Sequence, residues 1–347
     1  MTSHVLDRVR DRAFAERIPL AVHFDLTYRC NERCVHCYLD HEDHGEMTTA
    51  EVKDVLDQLA SSGTLFLTFS GGELLLRKDF FELLAYARQL QFDVKIKTNA
   101  ILIKEADAVR IRDLGVRQVQ ISVYSHRPDV HDAITKVRGS LARTIAAIRF
   151  LSACGLKVTI ANVLMRQNAS DYHGVRALAK DLGAEYTLDP TITPKMNGDT
   201  SILALRMPEA QVLHLFKDAA VVGEGFCSLP TEADAETLDS APCSAGHIAC
   251  YITPYGDVYP CVQFPLPSGN LRRQRFDDVW HHSPQLNEVR SIRTRDLTTC
   301  PSCTYVSTCT RCPGLAYMEG NMRGPSSADC EKSMLRARAA SPEGASE

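Results

Sequence analysis

This chain has no large excess of charge of either sign: 39 Lys and Arg stand against 43 Asp and Glu, for a net charge of -4. A nucleic-acid partner requires a strongly basic face or stripe, so none is expected. Long apolar runs are missing as well. No stretch approaches the roughly 18 consecutive apolar residues of a membrane span, which excludes a helical membrane anchor as the expected partner surface. The opening MTSHVLDRVRDRAFAERIPL is charged throughout and lacks the apolar core of an export signal, so the expected location is the cytoplasm. No internal repeat stands out. A globular chain remains: 347 residues, 44% of them hydrophobic, enough for one large domain or a large and a small one.

What the chain has in quantity is cysteine, 13 in all. A reducing cytoplasm keeps thiols unpaired, so cysteines in that number point to metal rather than disulfides. Three of them, Cys30, Cys34 and Cys37, crowd one short loop directly after a strand, in Asp25-Leu-Thr-Tyr-Arg-Cys-Asn-Glu-Arg-Cys-Val-His-Cys-Tyr38. Thiolates so spaced can hold three corners of a 4Fe-4S cubane and leave the fourth iron open. A structural zinc site is the plainer alternative, since Cys-x-x-Cys pairs commonly hold zinc. Three features oppose it: the spacing of three then two is not that of a zinc ribbon, no matching fourth ligand pair follows nearby, and Gly71-Gly72-Glu73 lies downstream. The loop resembles the signature of the radical S-adenosylmethionine (SAM) superfamily. That resemblance implies an open iron that chelates the methionine end of S-adenosylmethionine. It also implies reductive cleavage to a 5'-deoxyadenosyl radical and a flavodoxin- or ferredoxin-type reductant.

From His23 to about Asp189, short strand candidates alternate with helical stretches, which argues for parallel strands joined by crossover helices. The strands are read at His23–Tyr28, Leu65–Ser70, Asp93–Asn99, Gln118–Tyr124, Lys157–Val163 and Glu185–Pro190. The helices are read at Thr48–Ser62, Lys78–Leu90, Lys104–Leu114, Ser140–Cys154, Ser170–Leu182 and Pro208–Val222. Two of these open with start chemistry, a capping box at Thr48-Thr-Ala-Glu51 and Ser140 after Gly139. Each central strand has one apolar and one polar face: Val94, Ile96 and Thr98 oppose Lys95, Lys97 and Asn99, and Val119, Ile121 and Val123 oppose Gln118, Gln120, Ser122 and Tyr124. Strands covered by helices on both faces would read as continuous apolar runs. The expectation is therefore an α/β fold, a partial (β/α)6 TIM-like barrel with polar faces lining an open lumen, plus a small C-terminal cysteine-rich iron-sulfur domain. On that reading His23, Asp25, Thr27, Lys95 and Lys97 point inward. The expected boundaries are an N-terminal extension at 1–20, the barrel at 21–222, a linker at 223–242, the cysteine-rich domain at 243–330 and a frayed tail at 331–347.

Eight cysteines lie between Cys243 and Cys330. Cys243, Cys250 and Cys261 come first, then Cys300-x-x-Cys303, five residues to Cys309, two to Cys312 and seventeen to Cys330. Eight soft ligands suit two four-ligand sites, and two zinc tetrads are the alternative. The segment is similar to the SPASM extension of radical SAM enzymes, which implies two auxiliary 4Fe-4S clusters and three clusters in all. Carried over by position, Cys243, Cys250, Cys261 and Cys312 would hold the first and Cys300, Cys303, Cys309 and Cys330 the second. The family places three residues where this chain has only Thr310 and Arg311, so the division of ligands stays open. Cys154 ends an apolar-periodic helix and reads as core. Cys227 reads as a loop residue, with a mobile thiol near the site as the alternative.

The resemblance also assigns cofactor contacts. Gly71, Gly72 and Glu73 would bind the amino group of S-adenosylmethionine, Asn99 and Ser122 its carboxylate and ribose, Arg138 the carboxylate, and His36 would pack the adenine. Lys95, Lys97, Asp25 and Tyr124 are the catalytic candidates. Sulfatase-maturing relatives carry an aspartate as base directly after the cysteine equivalent to Cys261. Here Val262 and Gln263 follow it, which disfavours that oxidation. Only about twenty residues precede the first strand, so no leader-recognition domain is expected there, and a separate peptide-recognition protein or the barrel mouth would recognise a peptide. The leading expectation is an oxidoreductase of a ribosomally made precursor peptide, crosslinking or oxidising it. The alternative is a small-molecule or tetrapyrrole enzyme, such as a haem-pathway decarboxylase or dehydrogenase, whose anionic substrate would suit Lys95 and Lys97.

Overall fold

The computed structural model describes residues 2–341 except 40, 42 and 224. Helix α1 (Thr2–Glu16) fills the N-terminal extension, and its Phe14 stacks on His247 at 4.5 Å. Six strands joined by helical crossovers follow: β1 (Ala21–Thr27), α2 (Thr49–Ser61), β2 (Phe66–Gly71), α3 (Phe80–Gln89), β3 (Asp93–Thr98), α4 (Glu105–Asp113), β4 (Gln118–Ser122), α5 (Pro128–Thr135), α6 (Ser140–Ala153), β5 (Val158–Val163), α7 (Tyr172–Asp181) and β6 (Glu185–Asp189). Neighbouring strands from β1 to β6 pair in parallel and in sequence order. The chain continues through α8 (Glu209–Lys217), α9 (Ala219–Val222), α10 (Ala235–Asp239), β7 (Ala249–Ile252), β8 (Asp257–Tyr259), β9 (Gly269–Asn270), α11 (Phe276–His282), α12 (Pro284–Ser291), α13 (Pro313–Met318) and α14 (Ser327–Ala340).

The alternation of the strands does what the sequence implied. Leu67, Phe69, Val94, Ile96, Val119 and Ile121 are fully buried in the main core with Leu83, Leu84, Ile111, Ile148 and Leu151 of the helices. The opposite faces carry Lys97, Gln120 and Ser122 into an open lumen. The capping box at α2 is present: the Thr48 side chain accepts from the Glu51 amide, and the Glu51 carboxylate accepts from the Thr48 amide at 2.7 Å. At α6 the expected cap is corrected. Ser140 donates its hydroxyl to Asp132, whose carboxylate also accepts from the Gly139 and Leu141 amides, so the carboxylate of α5 caps the next helix.

The cysteine-rich segment is joined to the barrel through the sheet. β7 pairs in parallel with the outer edge of β1, Ala21 opposite Ala249 and Phe24 opposite Ile252, and β8 and β9 add antiparallel hairpins in a nine-stranded sheet. The edge of β1 is therefore covered, as exposed strand edges generally are. The expected linker carries α10. The expected frayed tail is helical as far as Ala340, because Leu335 is buried with Val212, Leu215 and Phe216 of α8; residues 342–347 lie outside the described residues. Cys154 packs at the end of α6 against the main core. Cys227 packs with the α8 cluster and contacts the Phe216 carbonyl, away from both large cavities.

Candidate active site

The loop carrying Cys30, Cys34 and Cys37 leaves the C-terminal end of β1 and is pinned on every side. Arg77, buried, donates to the Leu26 and Met47 carbonyls at 2.8 Å each and pairs with Asp79. Glu46 accepts from the Tyr28 amide and the Thr27 hydroxyl. Farther on, the Arg33 and Val35 amides donate to the Thr135 and Ile134 carbonyls at the end of α5. Gly71 and Gly72 allow the closest approach: a Cβ on Gly72 would stand 2.2 Å from the Arg29 carbonyl oxygen, and Gly71 adopts φ +129° against Thr27. Gly72→Ala is therefore expected to cost about 3 kcal/mol or more, and to displace the loop. Thermal melting together with iron content of the reconstituted protein measures both effects, and a parent-like value of either contradicts the account.

Cys30, Cys34 and Cys37 rim a cavity of about 520 Å³. His36, Gly71, Gly72, Asn99, Ser122 and Tyr124 line it too, so most of the residues expected to touch cofactor meet in one place. The His36 ring packs edge-on to Tyr124 at 4.7 Å, and burial lowers its pKa to about 4, leaving a neutral ring. Asn99 donates to the Asn31 side chain at 2.7 Å and approaches the Cys30 sulfur at 3.7 Å. Burial raises the Cys30 pKa to about 12 and raises that of Cys34 as well. Glu32 beneath them is raised to about 7 by burial.

Two residues expected to touch cofactor lie outside the cavity lining. The Glu73 carboxylate is fully buried, outside the cavity lining, and accepts from Leu75 and Asn99 amides and the Thr98 hydroxyl. It ties the ends of β2 and β3 together, which leaves the Gly71 and Gly72 backbone to face a ligand. Arg138 is exposed in the turn before α6, outside the cavity, where only its carbonyl is engaged, by Arg143.

Of the lumen cations, Lys97 faces the cavity and Lys95 does not. Lys97 lines it without a hydrogen bond or ion pair among the described residues, and burial lowers its pKa. Lys95 shares the polar face but lies level with Gln118 at the start of β4, outside the cavity. Its pKa falls to about 8, through burial and then the Lys97 charge. Asp25 hydrogen-bonds to neither lysine among the described residues, although its charge acts on Lys97. Asp25, fully buried, receives His23 Nε2 at 3.0 Å and the Tyr251 hydroxyl at 2.7 Å. The sequence reading missed Tyr251 and Tyr28, whose hydroxyls are 2.7 Å apart, because they lie 223 positions from each other.

The structure brings the eight C-terminal thiols into two neighbourhoods. Cys300, Cys303, Cys309 and Cys330 ring a second cavity of about 390 Å³. Cys261 interacts electrostatically with Cys243, Cys250 and Cys312, and Val262 and Gln263 beside it line the first cavity together with Lys97. Burial raises the Cys250 pKa to about 12. The Cys312 amide donates to Asp329 at 2.8 Å, next to Cys330, so the two groups are tied by a direct hydrogen bond.

Comparison with known proteins agrees with this geometry. The model for the "Radical SAM superfamily" matches residues 24–179, and that for an "Iron-sulfur cluster-binding domain", SPASM, matches residues 243–313. The "Mycofactocin maturase MftC" of Mycobacterium ulcerans (strain Agy99) is 30% identical over 305 residues, covering 84% of this chain and 82% of that protein. The chain belongs to the radical SAM superfamily. An "AdoMet-dependent heme synthase" of Methanosarcina barkeri (strain Fusaro / DSM 804) is 27% identical over 315 residues, covering 84% of this chain and 90% of that one. The crystal structure of Streptococcus suis SuiB bound to precursor peptide SuiA superposes with a TM-score of 0.72 at 19% identity, over 94% of this chain and 81% of that one, a likeness of fold.

As a radical SAM enzyme with a SPASM extension, the chain uses S-adenosylmethionine and iron-sulfur clusters. Its residues fit them. Three thiols at the rim of a roomy cavity leave space for a ligand on the open side, and a 390 Å³ space ringed by four thiols exceeds the shell of one zinc ion, whose Zn–S bonds are about 2.3 Å. Buried thiols with raised pKa values need a nearby cationic centre to ionise, which cluster iron provides. Among the described residues no helix is long and apolar enough to cross a membrane.

Proposed function

We propose that this enzyme oxidises or crosslinks a residue of a ribosomally made precursor peptide. The observation that carries the reading is the placement of three rim thiols and an unpaired Lys97 on one cavity, backed by the wall that follows Cys261. When loaded, the Cys30, Cys34 and Cys37 site supplies a hydrogen-atom acceptor by reductive cleavage of S-adenosylmethionine. The chain's own part is to hold and exclude. The Gly71 and Gly72 backbone, Asn99 and Ser122 would seat the cofactor, with His36 against its adenine, while Tyr124, Ile192 and Met196 add apolar surface to the same cavity. Three 4Fe-4S clusters are proposed, the two auxiliary ones on the thiol groups described above, with a flavodoxin- or ferredoxin-type reductant and a separate peptide-recognition protein. The printed name of the maturase relative and the peptide-bound SuiB structure support a peptide substrate.

A tetrapyrrole carrying carboxylates is the second reading, favoured by the heme synthase relatives and the same unpaired cation. Anaerobically reconstituted enzyme, given S-adenosylmethionine, reductant and either a precursor peptide encoded beside its gene or an iron tetrapyrrole, separates them by mass. A mass change in the peptide alone supports the first reading, and one in the tetrapyrrole alone replaces it.

Both readings give Lys97 an anionic group to bind. A buried charge is costly unless paired or used, and truncating one partner of a buried charge pair typically costs 2–5 kcal/mol. Lys97→Met should raise the substrate KM about 30-fold while 5'-deoxyadenosine formation without substrate stays at the parent rate. An unchanged KM removes Lys97 from substrate binding.

A further inference from the structure

We propose that His23 is the catalytic base of the oxidation, accepting the second proton lost by the substrate. The proposal rests on the oxidative reading above, whichever substrate that reaction converts. Four side chains from distant parts of the chain form one hydrogen-bonded row: His23 Nε2 to Asp25 Oδ1 at 3.0 Å, Asp25 Oδ2 from Tyr251 at 2.7 Å, and Tyr251 to Tyr28 at 2.7 Å. Of these four, only His23 lines the cavity. Its side chain is partly exposed there while Asp25 behind it is fully buried.

The row also sets the tautomer. Both Asp25 oxygens face donor groups, so the tautomer that satisfies the row puts the hydrogen of His23 on Nε2 and leaves Nδ1 as an acceptor. Tyr251 gives its hydroxyl hydrogen to Asp25, and its oxygen lies 2.7 Å from the Tyr28 hydroxyl, which also reaches Met196 Sδ at 3.4 Å. A carboxylate behind an imidazole that faces the reacting space is how a base is oriented in general acid-base catalysis. No carboxylate follows Cys261, where Val262 and Gln263 stand; Glu32 and Asp189 also line the cavity, Glu32 with its carboxylate 3.5 Å from the Cys34 sulfur and Asp189 accepting from the Thr191 amide. The groups that face the imidazole are Asp25 on its own strand, Lys97 and Lys95 from β3, and Tyr251 from β7, whose ring packs edge-on at 5.4 Å. Burial and the Lys97 charge lower its pKa, more than Asp25 raises it, so the ring is a neutral acceptor at neutral pH.

The step balances as follows. A substrate C–H bond breaks and its hydrogen atom goes to the 5'-deoxyadenosyl group. The adjacent N–H, O–H or C–H bond then breaks, its proton going to His23 Nδ1 as the new double bond forms. The remaining electron would go to the iron-sulfur cluster that the C-terminal thiols would hold; one of them, Cys261, lies close enough to Lys97 to interact with it. The imidazolium returns its proton to solvent through the open cavity.

The test compares the parent with His23→Gln and His23→Ala on the substrate the parent converts. His23→Gln should bind parent levels of iron and form 5'-deoxyadenosine, while product falls about 100-fold or more, so that the two products uncouple. In the parent, the product rate should fall as pH drops through the imidazole pKa; that acid limb should be missing from the residual rate of His23→Gln. Added imidazole should restore product to His23→Ala, which a merely structural role would not allow. Product formed by His23→Gln at the parent rate with the acid limb intact overturns the proposal, as does an acid limb that survives there and vanishes in Lys97→Met. Failure of the oxidative reading would appear in the parent itself, as a product without loss of hydrogen, and failure of this inference only in the variants.

Discussion

Replacing Cys30, Cys34 and Cys37 together by alanine is expected to remove about four of about twelve irons and all 5'-deoxyadenosine formation. The effect is absolute because no other thiol borders this cavity among the described residues. It should also be local. The loop is held by Arg77 on Leu26 and Met47, by Glu46 on Tyr28, by the glycine contact at Arg29 and by the end of α5. None of these uses a thiol, so the triple variant should melt close to the parent after loss of one cluster and keep the eight irons of the C-terminal sites. Iron and sulfide counting under anaerobic conditions, with chromatography of the nucleoside products, decides it. Zinc in place of iron, or turnover that survives the triple change, would sink the assignment of this loop as the reactive centre.

How much of this was legible depends on the range over which each feature is specified. Strand faces follow a period of two and need only local sequence, so Val94 and Ile96 against Lys97, and Val119 and Ile121 against Gln120, were readable. The capping box at Thr48 is four residues long and was readable for the same reason. The cap of α6 was not, because Asp132 reaches it from the preceding helix. Lys95 and Lys97 share a face by parity, but parity is silent on height along the strand, and only the register with β4 puts Lys95 outside the cavity. The motif puts Glu73 directly after the two glycines of the cavity wall, while the direction of its carboxylate depends on Thr98 and Asn99 from the next strand. β7 escaped notice because four residues, Ala249–Ile252, read as the surroundings of a ligand cysteine; its pairing with β1 spans more than 200 positions. The His23 to Tyr28 row depends on that pairing, since Tyr251 reaches Asp25 only once β7 lies beside β1.

That pairing makes the auxiliary thiols part of the fold. Cys250 lies on β7, and Cys312 of its group is separated from Cys309 of the other by only Thr310 and Arg311. Arg311, nearly buried, donates to the Met322 and Gly324 carbonyls and lines the second cavity, while the Cys312 amide holds Asp329 beside Cys330. The α14 helix that carries Cys330 is in turn seated on α8 through Leu335. A ligand lost from one group therefore shifts the backbone that positions the other. Since a preformed thiolate site is absent from the unfolded chain, metal binding there is folding free energy, of order 10 kcal/mol for structural zinc sites. Cys309→Ala should accordingly lose about eight of about twelve irons rather than four. It should also lower the melting temperature by about 10 °C or more, or fail to remain soluble as the edge of β1 is uncovered. Limited proteolysis should cut first within 243–341 and leave the barrel strands protected. If the variant instead keeps eight irons and melts like the parent, the two sites are independent electron carriers, and the sheet pairing of β7 with β1 is sufficient to hold the segment in place.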